Sequence, residues 1–154
     1  MKKYFTIGVV GKSLKENEKR VAIHPEHIER IPKELRELMG VKHRGLVALG
    51  IAAPQIGTSL RMFVYRNNPY SSTPSTLTII NPQLIYIKGD ITLKETCLSI
   101  PDKEFLVKRH KLVKIKGLGL DGKYHSYKGN GLIAQILLHE INHLDGILID
   151  EIGT

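Results

Sequence analysis

Residues 131–144 (GLIAQILLHEINHL) constrain this chain more than any other stretch. Ile133, Leu137, Ile141 and Leu144 recur at helical spacing along one side, and Leu132, Ile136, His139 and His143 recur along the other. A helix that is apolar nearly all round is a buried helix. The rest of the chain must therefore wrap around it, and two histidines go with it into the interior.

Those histidines belong to the pentapeptide His139-Glu140-Ile141-Asn142-His143, an H-E-x-x-H pattern. Residues four apart on a helix lie on one face, so both imidazoles can bind the same metal ion. Glu140 is turned about 100 degrees from His139, where its carboxylate reaches a water at the metal without ligating the metal itself. The bland alternative is a pair of core histidines satisfied by hydrogen bonds, an arrangement that does not call for this motif.

A catalytic metal site needs a third protein ligand and an open position. Ile149 stands where a downstream histidine pattern would place its third ligand, and only 154 − 143 = 11 residues follow His143. That leaves too little chain for an acid on another helix, so the third ligand is expected upstream. Cys97, the only cysteine, is the best candidate; it lies in residues 95–101 (ETCLSIP) beside a predicted strand. A thiolate binds zinc or iron(II) strongly and is deprotonated by the metal. His24, His27, His43, His110 and His125 remain as rivals, and a buried inert cysteine is the competing reading of Cys97.

Around this centre the sequence predicts an α+β fold, with short antiparallel strands packed about one buried metal-binding helix. Strands are expected at 4–10, 60–65, 77–80, 84–87, 111–116 and 123–128, with turns at 88–90 and at Asp121-Gly122. A helix is expected to start near Pro32 and to stop at Gly40. The length, 154 residues, suits one domain over 1–154. No apolar run is long enough to span a membrane, and residues 5–10 are too short and lack a cleavage site for a signal peptide. A single cysteine excludes an internal disulfide and fits a cytoplasmic protein. The net charge is 23 − 15 = +8, but the lysines are scattered along the sequence without an aromatic platform. This reads as a basic surface and not as a specific nucleic-acid site.

Three segments, in order, resemble the peptide deformylase family. Residues 48–55 (ALGIAAPQ) are similar to its G-Φ-G-Φ-A-A-x-Q, 95–99 (ETCLS) to E-G-C-L-S, and 138–143 (LHEINH) to Q-H-E-x-D-H. The resemblance covers about residues 40–150. It implies that Cys97, His139 and His143 hold one divalent ion, Fe2+ in the cell, with Zn2+, Ni2+ or Co2+ as alternatives. It also implies that Glu140 is the general base, and that Gln55 and the backbone N–H of Leu98 stabilise the oxyanion. Gly50, Leu49, Ile51, Leu132 and Ile136 would line the substrate groove, and Glu95 and Arg109 would form a supporting ion pair. The implied reaction removes the formyl group from formyl-methionyl nascent peptides, with the ribosome surface near the exit as a further partner. The competing readings are a small-acyl amidase and a catalytically inactive relative that keeps metal or peptide binding. The chain departs from the family pattern at Ala48, Thr96, Leu138 and Asn142, and carries Glu104 where many relatives have arginine. Residues 7–28 look more like the opening of alanine dehydrogenase and transhydrogenase proteins, but no nucleotide-binding glycine fingerprint follows them.

Overall fold

The computed structural model describes residues 5–8, 20–23, 30–40, 48–73 and 75–154. Strands β1 (Phe5–Gly8) and β2 (Arg20–Ile23) pair antiparallel as a two-stranded ribbon. Helix α1 (Arg30–Met39) follows, then β3 (Gly50–Ala52), a 3-10 turn (Ala53–Ile56) and β4 (Met62–Arg66). Next come β5 (Thr76–Cys97), β6 (Ile100–Leu118) and β7 (Tyr124–Asn130), then α2 (Leu132–Leu144) and a terminal turn of helix, α3 (Ile149–Ile152). Strands β3 to β7 form one antiparallel sheet in sequence order. The fold is α+β.

Alternation along β4 explains how the sheet carries two helices. Phe63 and Tyr65 join the core around α2, together with Ala52, Ile79, Val113, Ile115, Leu137 and Ile141. Met62 and Val64 point the other way, into a second core with Ile31, Leu35 and Met39 of α1. A strand buried on both faces reads as a continuous apolar run, as MFV does here. Helix α2 lies close to β7 because residue 129 is glycine: a Cβ there would come within 2.6 Å of Ile133 Cγ2. Arg61 closes the far end of α2, its Nη1 donating to the Leu144 carbonyl at 2.7 Å and its Nη2 to Asp145 Oδ1 at 3.0 Å. A cation is well placed there, since the last carbonyls of a helix lack internal donors.

Two expectations change. Helix α1 begins at Arg30, with Pro32 inside its first turn, where no backbone donor is needed. The expected strands 77–80 and 84–87 and the turn at 88–90 are parts of one 22-residue strand. Asn81-Pro82 and Gly89 do break local regularity, but as irregularities within the strand: the register with β6 shifts between Ile80 and Gln83 and between Leu84 and Tyr86, while Asn81 (φ 50°) and Gly89 (φ 74°) take left-handed conformations. Long pairing with β6 overrides the turn signal. The hairpin at Asp121-Gly122 forms as expected, with Gly122 at φ 76°. Among the described residues no helix is long and apolar enough to cross a membrane.

Candidate metal centre

The β5–β6 hairpin ends where Cys97 pairs with Ile100, and this end lies against the face of α2 that carries the two histidines. The Sγ of Cys97 and one ring nitrogen from each of His139 and His143 lie within 4.8 Å of one another. Cys97 Sγ is 3.3 Å from His143 Nε2, and the two Nε2 atoms are 3.2 Å apart. Three donors from two elements therefore converge on one point. His110 and His125 stand elsewhere, in contact with Asp90 and Asp121. His24, His27 and His43 lie outside the described residues, as does most of the 7–28 segment.

A buried ion pair orients the first histidine. Arg109 grips Glu95 through two hydrogen bonds, Nε to Oε2 at 2.6 Å and Nη2 to Oε1 at 2.7 Å, with both side chains below 5% exposed. His139 Nδ1 meets Glu95 Oε1 at 2.8 Å, which leaves Nε2 facing the cysteine. Arg109 also donates to Asn142 Oδ1 on the next turn of α2. So a single carboxylate links β5, β6 and the helix that carries the histidines. Asn142, a departure from the family pattern, serves as an acceptor there.

The charges follow from this packing. Burial pushes the Cys97 thiol up, but hydrogen bonds with His139 and His143 outweigh it and bring the thiol down to about 5. Burial likewise disfavours the Glu95 anion, yet hydrogen bonds from Arg109 and His139 hold it at about 2. For His139 burial lowers the pKa, but the hydrogen bonds to Cys97 and Glu95 and the nearby Glu140 charge outweigh it and raise the pKa to about 10. Glu140 is fully enclosed, and burial drives its carboxyl up to about 7 against the opposing charges of His139 and His143. Its Oε2 is buried and has no hydrogen-bond partner among the described residues. Gly50 leaves the room that this carboxylate occupies: a Cβ there would stand 2.9 Å from Glu140 Oε1.

A groove of about 610 Å³ opens over the cluster, lined by Leu49, Gly50, Gln55, Cys97, Leu98, Leu132, Ile136, His139 and Glu140 among others. Gln55 sits on the 3-10 turn, and its Oε1 accepts from the Ala52 N–H at 2.8 Å. That bond aims its amide Nε2 toward Ser99 Oγ, 3.2 Å away, and Cys97 Sγ, 3.9 Å away. Leu98 follows the cysteine and is 46% exposed at the groove. Ile51, expected in the groove, is in the α1 core instead. Successive strand residues point to opposite faces, so Gly50 and Ala52 face α2 while Ile51 faces away. Ser99 is not singled out by the sequence. Ser99 sits beside the predicted ligand, but nothing in its spacing marks it as the partner of a glutamine 44 positions earlier.

Comparison with known proteins adds a separate finding. The family model for polypeptide deformylase matches residues 5–153. The peptide deformylase of Dictyoglomus thermophilum is 36% identical over 138 residues, covering 88% of this chain and 83% of that protein. That of Desulforudis audaxviator is 35% identical over 142 residues, covering 92% and 87%. Among solved structures, a probable peptide deformylase from Synechococcus phage S-SSM7 superposes with a TM-score of 0.75 at 29% identity, covering 86% of this chain and 87% of that one. The enzyme from Thermus thermophilus gives 0.72 at 31% identity, covering 82% and 72%.

Proposed function

The chain belongs to the peptide deformylase family and is a hydrolase that removes the formyl group from formyl-methionyl nascent peptides, and from that premise we propose which residues carry the reaction. The observation that carries the proposal is the meeting of Cys97, His139 and His143 beside a buried carboxylate oxygen without a partner. One thiolate and two imidazoles form a donor set suited to Fe2+, Zn2+, Ni2+ or Co2+. The orphaned Oε2 of Glu140 fits a site completed by an ion and its solvent, because a buried carboxylate oxygen left unpaired is otherwise costly. Cys97, His139 and His143 hold the ion in this reading, and we assign Fe2+ in the cell. When bound, the ion supplies Lewis acidity to the formyl oxygen and acidifies water.

The chain's own groups do the rest. Glu140 takes the proton from the attacking water and returns it to the leaving amine. Gln55 Nε2 and the Leu98 N–H donate to the formyl oxygen as negative charge builds on it. Glu95, clamped by Arg109, keeps His139 in the tautomer that presents Nε2. Leu49, Leu98, Leu132 and Ile136 make an apolar wall for the methionine side chain, whose flexible thioether fills irregular apolar space. We read residues 1–154 as one catalytic unit working in the cytoplasm, beside the ribosome exit where its substrate emerges.

A formate-release assay on metal-defined protein tests the reaction. With Fe2+ or Ni2+ loaded anaerobically, a formyl-methionyl peptide should be hydrolysed with a kcat/KM about 100-fold or more above that of its acetyl counterpart, since a methyl at the reacting carbon displaces it from the oxyanion donors. Equal rates would point to a general small-acyl amidase. No turnover of either peptide by metal-loaded protein would make the chain a binding relic. Cys97→Ala tests the ligand set separately. Its metal affinity should fall by more than about 100-fold, because even partners in the outer shell contribute about 10- to 100-fold. Undiminished metal content at equal free metal would remove Cys97 from the site.

A further inference from the structure

The lysines that look scattered in the sequence are gathered by strand register onto one face of the sheet. Directly paired residues share a face, and so do alternate residues along a strand. Val113 and Ile115 of β6 turn inward onto α2, so Leu112, Lys114 and Lys116 turn outward. Lys114 lies opposite Tyr86 of β5 and Lys128 of β7. Lys116 lies opposite Gln83 and Ser126, Lys88 opposite Leu112, and Lys108 opposite Thr92. Lys88, Lys108, Lys114, Lys116 and Lys128 are all exposed. On this face Asp90 lies opposite His110, between the rows of Lys88 and Lys108, and Glu104 lies beyond Lys108, in an ion pair with Lys94, so both carboxylates stand apart from Lys114, Lys116 and Lys128.

Lys114 and Lys128 are an unusual pair. Like charges directly across an antiparallel pair repel and weaken the sheet. Lys116, two residues along from Lys114, adds a third cation to the same patch, with its Nζ 5.2 Å from the centre of the Tyr124 ring. Among the described residues no carboxylate pairs with Lys114 or Lys128, and a polyanion would relieve the repulsion. Lysines two apart on a strand are separated by about 7 Å, a spacing comparable to neighbouring phosphates of a nucleic-acid strand. The neighbours of the lysines are also suited to such a partner. Thr92, Gln83, Ser126 and Asn130 offer hydrogen bonds to sugar and phosphate.

We propose that the outer face of β5, β6 and β7, centred on Lys114, Lys116 and Lys128, binds the phosphate backbone of RNA without reading its sequence. The face lies across the sheet from α2, so an RNA held there leaves the groove open. It uses no residue of the metal cluster, and the proposal stands apart from the deformylation reading. An anionic membrane is the less suitable occupant, because the side chains opposite the lysines include the hydrogen-bonding Gln83, Thr92 and Ser126, and register sets Leu84 and Ile87 of the exposed apolar run on the other row, opposite Ile115 and Val113.

The test is fluorescence anisotropy of a labelled duplex RNA with the metal-loaded, full-length protein. Binding should weaken steeply with salt, by roughly 100-fold or more between about 50 and 200 mM, as expected when four or five lysines displace counterions. Lys114→Glu with Lys128→Glu should weaken binding at least about tenfold and flatten the salt slope by about two. Lys114→Glu alone, which creates an opposite-charge pair with Lys128 and so cannot harm folding by repulsion, should give about half of that change in slope. A control on the other face of the same strand, Lys111→Glu, should retain RNA affinity within about twofold, since alternation along β6 turns its exposed side chain away from the row of Lys114. Formate release should be unchanged in every variant. Equal losses in Lys111→Glu and Lys114→Glu would reduce the effect to net charge and overturn the proposal. So would undetectable RNA binding by the wild-type protein, or a wild type that binds phosphatidylserine vesicles through these lysines and not RNA.

Discussion

Glu140→Ala is expected to keep one metal ion per chain and to lower kcat/KM for a formyl-methionyl peptide by about 10²- to 10⁴-fold, the usual range for a positioned acid–base group. The carboxylate sits beside the three donors without being one of them, and its Oε2 has no protein partner among the described residues. Loss of the side chain therefore removes a proton carrier while leaving the ligands intact. The fold should not suffer, because an enclosed carboxylate whose pKa is raised by burial to about 7 is being replaced by an apolar group. Metal analysis, melting temperature and formate release on one preparation separate these effects. A loss of activity below about tenfold at full metal content would take proton transfer away from Glu140.

Arg109→Met should produce the largest loss of stability of any single substitution at the site, about 3–5 kcal/mol, because it leaves the Glu95 carboxylate buried without its main partner. The same change should weaken metal binding about 10- to 100-fold, since Glu95 would no longer fix the orientation of His139. Urea unfolding of the metal-free protein, with the slope unchanged, measures the first effect, and a zinc titration measures the second. A destabilisation below about 1 kcal/mol would place this pair with exposed ion pairs, which contribute little. Adding Glu95→Gln should recover part of the stability but none of the metal affinity. That separates the cost of an uncompensated charge from the loss of an orienting hydrogen bond.

The helix that carries His139, Glu140 and His143 was legible because its information is local: period, motif and burial all lie within one run of residues. Cys97 is singled out by elimination and by the family resemblance, and the structure brings its Sγ to the two imidazoles. The merging of 77–80 and 84–87 into one strand was not, because Asn81-Pro82 and Gly89 look like turns unless the long partner strand is known. Ile51 was misplaced for a related reason. A three-residue strand does not reveal from its sequence which of its faces meets which helix, and both faces of β3 are packed. The lysine face was hidden most completely. Lys88, Lys114 and Lys128 are far apart in the sequence, and only register brings them together.

Cys97 closes the end of a hairpin, while the two imidazoles stand on a helix that begins only after another strand and turn have been completed. An ion shared between them acts as a clasp between pieces of chain that an unfolding molecule must separate. Each tenfold rise in free metal above the dissociation constant then adds about 1.4 kcal/mol to the folded state. Metal supply would set the number of surviving molecules as well as their turnover. A cell starved of the ion would lose this protein to proteolysis, not merely idle it.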